Sequence, residues 1–394
     1  MSSTRYYIYR FFCHLVPVYP VYLMLFSEKG LSLSQISLLL MIWSLPLVLL
    51  EIPTGIVADI WSRKNLVLLG TILHGACFAV WIFADGFVSF ALGFILWGVS
   101  EAMISGSLEA LLFDSLKAKG EESRFDIVYS RGEMISRISL AVAMLSGGFI
   151  TQFLGYRVVL SVSVISLMVA VICLIPIKEV NPDRTSQKEG DSFGEHGLTV
   201  LKKSLLFLVR SKIIFFPVLL LILVFGMYGI LDEYDQVVAS HYVSGVLLVG
   251  LWGTARFVLE AVGSFLAPFV KRLLARRNRL VVPIIAVCIF AAVSLLAFAI
   301  LRSPFVVPLY ALYFMAMASM EVLMEDYIQQ KIEDAGRSTV HSVVSLLMNL
   351  YAVILFSAFS GIFTVVGIYV VLIIAAIYVI IASIVIGLLL RKAI

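Results

Sequence analysis

The sequence is poor in charged residues: only 14% of its 394 residues are Asp, Glu, Lys or Arg, whereas 61% are hydrophobic. Soluble domains carry about 25% charged and about 45–50% apolar residues, so a soluble fold would have no place for this apolar excess. Long polar segments are also scarce, because the stretch 178–212 is the only one. A bilayer core about 30 Å thick requires roughly 20 apolar residues per helix, so the sequence predicts a polytopic membrane protein.

Residues that carry catalysis or bind metals are few. The four cysteines lie in four different apolar runs without a neighbour at metal-ligand or redox spacing, and the five histidines are scattered over separate segments. The sequence contains no HExxH, GxSxG or GxxxxGK(S/T) motif. We therefore expect neither an enzyme nor an ATP-driven pump, and we expect no cofactor and no metal site. The net charge of +4 is spread over many short loops, which argues against nucleic-acid binding.

Apolar runs between charged or turn clusters predict twelve transmembrane helices, six before the polar stretch and six after it. Their predicted ranges are 6–26, 34–57, 65–84, 88–113, 126–154, 156–177, 213–236, 241–269, 280–301, 305–329, 338–363 and 367–390. Leu198 to Arg210 alternates apolar and basic residues at helical spacing, which indicates an interfacial helix. We expect an N-terminal six-helix bundle over 1–177, a cytoplasmic linker over 178–212 and a C-terminal six-helix bundle over 213–394.

Lys and Arg are distributed asymmetrically over the predicted loops. With a cytoplasmic N-terminus, the outer loops carry only Lys29, Arg157 and Arg302, while the basic clusters at 63–64 and 271–279 lie inside. Cytoplasmic loops of membrane proteins are enriched in these residues. The sequence therefore predicts that both termini are cytoplasmic and, in a bacterium, that the protein lies in the inner membrane.

Two segments of the sequence repeat one another. SLEALLFDSL, Ser107 to Leu116, and SMEVLMEDYI, Ser319 to Ile328, share a Glu and an Asp five residues apart, and an Arg follows each at nearly constant distance. Such a match indicates a duplicated six-helix unit. The sequence thus predicts an all-α membrane fold of two pseudo-symmetric six-helix bundles.

The second predicted helix ends in EIPTGIVADIWSRK, residues 51–64. Gly55 allows close helix approach, and Asp59 at a helix end can face the positive N-terminus of another helix. With Arg63 and Lys64 they match Gly-x3-Asp-x3-Arg-Lys, and here the sequence resembles the major facilitator superfamily. The resemblance implies transport by alternating access, with these four residues as a conformational latch that closes the cytoplasmic side. A channel would need neither a latch nor a duplicated rocking unit.

The first predicted helix contains VPVYPVY, in which Pro17 and Pro20 resemble the Pro-x-x-Pro element of twelve-helix drug/proton antiporters. Prolines free backbone carbonyls and bend a helix, which suits a helix in the wall of a cavity that must open and close. Two features of these antiporters are missing. Phe94 of predicted helix 4 stands near the position where the antiporters have an Arg, and Ala143-Met144 of predicted helix 5 stands where they have Gly-Pro. These differences keep functions other than antiport open.

Ionisable residues inside predicted helices are costly in lipid and are therefore candidates for function. Helix 4 carries Trp97, Glu101, Ser105 and Glu109 at i, i+4 spacing, which predicts one continuous stripe. The resemblance implies that helices 1, 4, 7 and 10 line the transport cavity. Glu101 is therefore the primary candidate for proton exchange or for contact with a cationic substrate. The alternative is a carboxylate permanently paired with an Arg of helix 5.

Further candidates for the proton-coupling or substrate cavity are a histidine and two i, i+4 pairs of opposite charge: His14, Glu133 with Arg137, and Arg256 with Glu260. Each pair can neutralise itself, or Arg256 can bind an anionic group of the substrate. His14 shares a helix face with Arg10 and can either titrate near neutral pH or serve only as a hydrogen-bonding group.

Two more charged sets lie near the predicted membrane surfaces. Asp232, Glu233 and Asp235 end helix 7, where we expect a solvated outer rim. On the inner side, the resemblance implies a cytoplasmic charge relay that stabilises one conformer. Its members would be Glu109, Asp114, Arg124, Glu321, Asp326 and Arg337.

The sequence therefore predicts a monomeric secondary transporter that moves a small molecule across the lipid bilayer. The leading hypothesis is proton-coupled efflux of a drug-like or amphipathic compound, because the cavity helices hold carboxylates and 12% of the residues are aromatic. The alternative is a proton-coupled importer of a nutrient, or an exporter of an anionic metabolite such as a siderophore. Transport of an anion would depend more on Arg256.

Overall fold

The computed structural model describes residues 2–177, 212–274, 281–331 and 337–393. In these residues the regular structure is helical, without strands. The chain divides into two compact units. Unit 1 holds the described residues up to 177 together with Val243–Gly253, and unit 2 holds the other described residues. Residues 178–211 of the predicted linker over 178–212, with its interfacial helix, lie outside the described residues.

Unit 1 is formed by helices that follow one another with short connections. They are α1 (Ser3–His14), α2 (Tyr22–Glu28), α3 (Leu33–Ile60), α4 (Arg63–Ile82), α5 (Phe87–Ile104), α6 (Ser107–Lys117), α7 (Phe125–Leu154) and α8 (Tyr156–Leu174). Polar side chains fix several of the starts. The Ser32 side chain accepts a hydrogen bond from the backbone of Gln35 and forms a capping box with it, and Ser62 caps α4.

Unit 2 has the same all-helical construction. Its helices are α9 (Lys212–Leu220), α10 (Gly226–Glu233), α11 (Asp235–Ser240), α12 (Val246–Leu274), α13 (Val281–Leu301), α14 (Val307–Lys331), α15 (Arg337–Ile362) and α16 (Ile368–Ala393). The first turns of α12 belong to unit 1.

Eleven helical stretches of the described residues are long and apolar enough to cross a membrane. They correspond to the predicted helices 2 to 12. The first predicted helix is present as the two short helices α1 and α2, which together supply the twelfth segment. Large apolar side chains such as Phe153, Ile165 and Phe265 are exposed, as a surface in contact with lipid requires. The predicted all-α polytopic fold is therefore confirmed.

Helix 1 is broken, where the sequence predicted one bent helix over 6–26. Residues 15–21 separate α1 from α2, and this interval contains Pro17 and Pro20, which lack the backbone N–H that helical hydrogen bonding needs. Gly147 of α7 lies directly against the interval. A Cβ atom at Gly147 would fall 1.9 Å from the carbonyl oxygen of Pro17, so this close approach requires glycine.

Serine side chains form hydrogen bonds with backbone groups at and beside the break in helix 1. Ser163 Oγ of α8 accepts a hydrogen bond from the backbone N–H of Val18 at 3.2 Å. Ser139 Oγ and Ser166 Oγ donate to the carbonyl oxygens at the end of α1, at 2.5 and 2.8 Å. Buried backbone groups are costly when unpaired, so these serines stabilise the irregular backbone.

Helix 4 is also broken, and the predicted continuous stripe is wrong. α5 ends at Ile104 and α6 begins at Ser107, because Gly106 adopts φ +70, a left-handed conformation that glycine tolerates best. Ser105 is exposed at this turn, and Glu109 lies on α6 rather than on the helix of Glu101.

Helix 7 contains a π-helical turn, Leu221–Phe225, between α9 and α10. Pro217 lies one turn before it. The hydroxyl of Tyr351 donates to the carbonyl oxygen of Leu223 at 3.2 Å, and a Cβ at Gly226 would lie 2.7 Å from the Tyr351 ring. A π-bulge frees carbonyl oxygens from the regular ladder, and Tyr351 binds one of them.

An aromatic core holds the second half of the broken helix 1 in unit 1. The Phe26 ring of α2 lies 4.4 Å from Phe90 and 5.0 Å from Trp81, and Trp81 lies 5.0 Å from Phe94, measured between ring centroids. All four side chains are buried. Aromatic pairs at these separations stabilise beyond the area that they bury, so α2 is held firmly against α4 and α5.

Candidate functional site

Glu101 lies near the end of α5, one helical turn after Trp97. Trp97 Nε1 donates a hydrogen bond to Glu101 Oε1 at 2.8 Å. Glu101 is partly buried, and no Lys, Arg or His among the described residues forms an ion pair with it. The alternative in which Glu101 pairs with an Arg of helix 5 therefore does not occur in the described part of the chain.

Aromatic rings pack around the hydrogen bond between Trp97 and Glu101. The ring of Tyr19 stacks on Trp97 at 5.4 Å, and the ring of His74 stacks on it at 5.1 Å. Tyr19 Oη and His74 Nε2 are 3.3 Å apart, and the Trp43 ring lies 5.6 Å from Trp97. Because Tyr19 belongs to the break in helix 1, that irregular backbone contributes directly to the surroundings of Glu101.

Sequence reasoning missed Tyr19, His74 and Trp43 as members of this cluster. Tyr19 stands between the two prolines of VPVYPVY, and this position was the available signal. His74 and Trp43 lie on other helices, so only helix packing reveals their proximity to Trp97.

Glu133 forms its ion pair with Arg10 of α1, and the predicted pairing of Glu133 with Arg137 is wrong. Arg10 is 8% exposed, and its Nε also donates to Ser136 Oγ at 2.7 Å. The Glu133 and Ser136 side chains face α1, which packs along α7. Arg137 is exposed and forms no ion pair with any of the described residues.

His14 ends α1, and its Nδ1 lies 2.9 Å from the carbonyl oxygen of Arg10. This hydrogen bond to its own helix fixes the imidazole ring. Whether His14 also exchanges protons stays a prediction.

Arg256 of α12 is surrounded by carboxylates. Its guanidinium lies 2.7 Å from Glu260 and 3.1 Å from Asp235, and it also pairs with Asp232. Arg256 and Asp235 are each 4% exposed, and the ring of Phe314 lies 4.4 Å from the guanidinium carbon. The predicted pair with Glu260 is therefore present.

The predicted solvated rim at the end of helix 7 is wrong for Asp235 and Asp232. The turn between α10 and α11 directs both carboxylates at Arg256. A charge buried in the span needs compensation, and three carboxylates supply more than enough of it. The same arrangement leaves the Arg256 guanidinium without room for an anionic substrate.

Arg63 of the predicted latch pairs with Asp114 of the predicted relay in unit 1. Arg63 Nη1 lies 2.5 Å from Asp114 Oδ2, and Lys64 Nζ donates to the carbonyl oxygen of Ile175 at 2.7 Å. The surroundings of Gly55 and the side chain of Asp59 lie outside what the structure describes. The role of these residues as a latch stays a prediction.

The other described members of the predicted relay have different surroundings. Arg124 pairs with Glu121 at 3.0 Å, Glu109 is partly buried and Glu321 is exposed. The side chains of Asp326 and Arg337 lie outside the described residues. The relay also stays a prediction.

The described residues are helical in their regular structure and form eleven candidate spans with ionisable side chains inside them, which is the construction of an integral membrane transporter. The family model of the Major Facilitator Superfamily matches residues 10–354, and the chain belongs to this superfamily. Its members are secondary transporters of small molecules.

Two curated relatives match the chain at low identity. An uncharacterised MFS-type transporter of Bacillus subtilis (strain 168), YxaM, is 23% identical over 218 residues, which cover 55% of this chain and 52% of YxaM. The match therefore spans about half of the length of YxaM. The uncharacterised transporter BU466 of Buchnera aphidicola subsp. Acyrthosiphon pisum (strain APS) is 23% identical over 341 residues, 84% of this chain and 81% of BU466.

Among solved structures, the crystal structure of the nucleoside transporter NupG superimposes with a TM-score of 0.70 at 15% sequence identity, over 99% of each chain. At this identity the likeness demonstrates a shared fold and carries no information on the substrate.

Proposed function

We propose that the protein couples proton movement to the efflux of a small amphipathic molecule, with Glu101 as the proton-carrying group. The observation that carries this proposal is the Glu101 carboxyl group, which lies inside a span without a cationic partner among the described residues. Ionisable groups in spans are rare and functional by default.

An ionised carboxylate without a counter-ion is costly in a low-dielectric environment, and protonation removes this cost. The N–H of Trp97 opposes it, because a hydrogen bond to the charged form stabilises that form. One effect therefore favours the protonated form of Glu101 and the other favours the ionised form. A group that binds and releases protons during a transport cycle needs both forms to be accessible.

The aromatic cluster beside Glu101 supports an amphipathic cargo. Tyr19, Trp43 and His74 surround Trp97 with flat apolar faces that also carry polar edges. Such rings bind planar organic molecules well, since they combine a large apolar area with a fixed hydrogen-bonding position.

The proposed mechanism is alternating access. A proton on Glu101 stabilises one conformer and its loss stabilises the other, so a proton gradient shifts the populations of the two. Each pH unit of gradient is worth about 1.4 kcal/mol per transported proton. We place both termini in the cytoplasm, as the distribution of Lys and Arg indicates, and we take the monomer as the working unit.

An anion transporter that depends on Arg256 is less well supported. The three carboxylates around its guanidinium give Arg256 a structural role within unit 2. Any anionic cargo would have to bind elsewhere.

Proton flux in proteoliposomes tests the proposal. A pH gradient is imposed, and a panel of small amphipathic compounds is added to vesicles that contain wild type or Glu101→Gln. We expect at least one compound to dissipate the gradient in wild type and none in Glu101→Gln. Glu28→Gln is the matched control, because the same chemical change is made at an exposed glutamate, the last residue of α2. Equal flux in wild type and Glu101→Gln would remove Glu101 from the coupling path.

A further inference from the structure

Helix α7 presents three distinct faces. Ser136 and Gly147 point to α1 and to the break in helix 1. Ile138 and Phe149 are exposed, and this apolar face is suited to lipid. Arg137 lies on the third face, about 100° around the helix from each of the other two.

Towards the C-terminal end of α7, the third face packs against protein. Met144 and Gly148 follow Arg137 by seven and eleven residues, which places them within about 20° of it around the helix axis. A Cβ at Gly148 would lie 3.0 Å from the Cα of Gly250, and Gly250 belongs to unit 1. At that end of the helix, the face that carries Arg137 therefore packs against protein rather than lipid.

Arg137 is also deep in the membrane. It lies about 5 Å along the helix axis from the midpoint of its span, which runs from Ile127 to Leu154. Its side chain is exposed and forms no ion pair with any described residue. Charged residues at this depth face a protein interior or a water-filled cavity.

We propose that Arg137 faces water and binds an anionic group of the cargo. A planar guanidinium with several N–H donors pairs with a carboxylate, a phosphate or a sulfonate in bidentate geometry. This inference rests on the proposed transport function and defines its cargo more closely, as an amphipathic acid whose apolar part suits the aromatic cluster near Glu101. It also assigns to Arg137 the anion-binding role that the carboxylates around Arg256 preclude there.

Chemical modification of arginine tests the site without any transport assay. The protein is reconstituted into nanodiscs of phosphatidylcholine alone and treated with phenylglyoxal, and modification of each arginine is followed by mass spectrometry. We expect Arg137 to react and the buried Arg256 to remain unmodified. We expect benzoate to slow the reaction at Arg137 about tenfold when it is present at about ten times its Kd. Benzamide, which is neutral and nearly the same shape, should leave the rate unchanged.

Exposed Arg124 is the internal control, since neither compound should alter its rate of modification. An unreactive Arg137, or equal effects of benzoate and benzamide, would overturn the inference. Nanodiscs that also contain phosphatidylglycerol identify the other possible source of an anionic group. If this lipid protects Arg137 as benzoate does, the site binds a lipid headgroup rather than cargo, and the inference is wrong.

The same assay on Glu101→Gln separates this inference from the proposed function. Benzoate protection in both proteins, combined with equal proton flux in both, would retain the anion site and reject proton coupling through Glu101. Loss of proton flux in Glu101→Gln, combined with no benzoate protection of Arg137, would retain proton coupling through Glu101 and reject the anion site.

Discussion

The indole N–H of Trp97 donates a hydrogen bond to the carboxylate of Glu101, one turn further along α5, at 2.8 Å. The two residues form a unit in which the indole stabilises the charged carboxylate, while the absence of an ion pair in the described part of the chain favours the neutral one. This balance is the physical basis for assigning proton exchange to Glu101.

Trp97→Phe keeps an aromatic ring beside Tyr19 and removes the hydrogen-bond donor. We expect the pH midpoint of cargo-dependent proton flux to move upwards by about one unit, because a hydrogen bond to a charged group contributes about 1.5–3 kcal/mol and part of it is replaced by water. The matched control is Trp81→Phe, since Trp81 Nε1 donates to the backbone carbonyl of Phe90 at 3.2 Å. An equal shift in both variants would show that the Trp97 hydrogen bond has no specific effect on Glu101.

Arg10→Gln and Glu133→Gln each break the ion pair between α1 and α7. Removing one partner leaves the other charge uncompensated, which costs about 3–5 kcal/mol for a fully buried pair. Because Glu133 is only partly buried, we expect about 1–3 kcal/mol, visible as a lower melting temperature in detergent. The double variant Arg10→Gln/Glu133→Gln should melt above either single variant. Strictly additive losses would contradict the pairing.

Arg256→Met removes the cation from among three carboxylates. At neutral pH the remaining Asp232, Asp235 and Glu260 repel one another, so the variant should be strongly destabilised. Protonation relieves this repulsion. The difference in melting temperature between Arg256→Met and wild type should therefore become smaller at mildly acid pH. A difference that does not depend on pH would refute the cluster.

Gly147→Ala tests the contact between α7 and the break in helix 1. The added methyl would meet the carbonyl oxygen of Pro17, so α7 and the break must separate, at a cost of about 1–3 kcal/mol. Gly361→Ala is the control, because a Cβ at Gly361 has no neighbour within 4 Å. There the higher helix propensity of Ala should leave stability unchanged or raise it. Similar melting temperatures for the two variants would contradict the packing.

The sequence predicted the positions of the spans because long apolar runs depend only on local composition. The breaks were harder to predict. Pro17 and Pro20 indicated a bend, yet the interruption also involves Ser163 and Ser166 of α8, which bind backbone groups freed by the break. The apolar run around Gly106 predicted a continuous helix, and nothing in its spacing indicated the left-handed conformation of this residue.

Sequence periodicity could not predict which residues of different helices pair with one another. The i, i+4 rule correctly paired Arg256 with Glu260 and placed Trp97 beside Glu101. The same rule failed for Glu133, because it ignores the neighbouring helix that carries Arg10. Which helices touch is decided by packing over the whole fold.

The most direct test of the central claim compares two modes of transport in Glu101→Gln. The compound that dissipates a pH gradient in wild-type vesicles is loaded on both sides, and its exchange is measured without a gradient and then with one. We predict that Glu101→Gln retains exchange without a gradient and loses gradient-driven accumulation, since its conformers still interconvert but carry no proton. Gradient-driven accumulation in Glu101→Gln equal to that of wild type would contradict the assignment of Glu101 as the proton-carrying group.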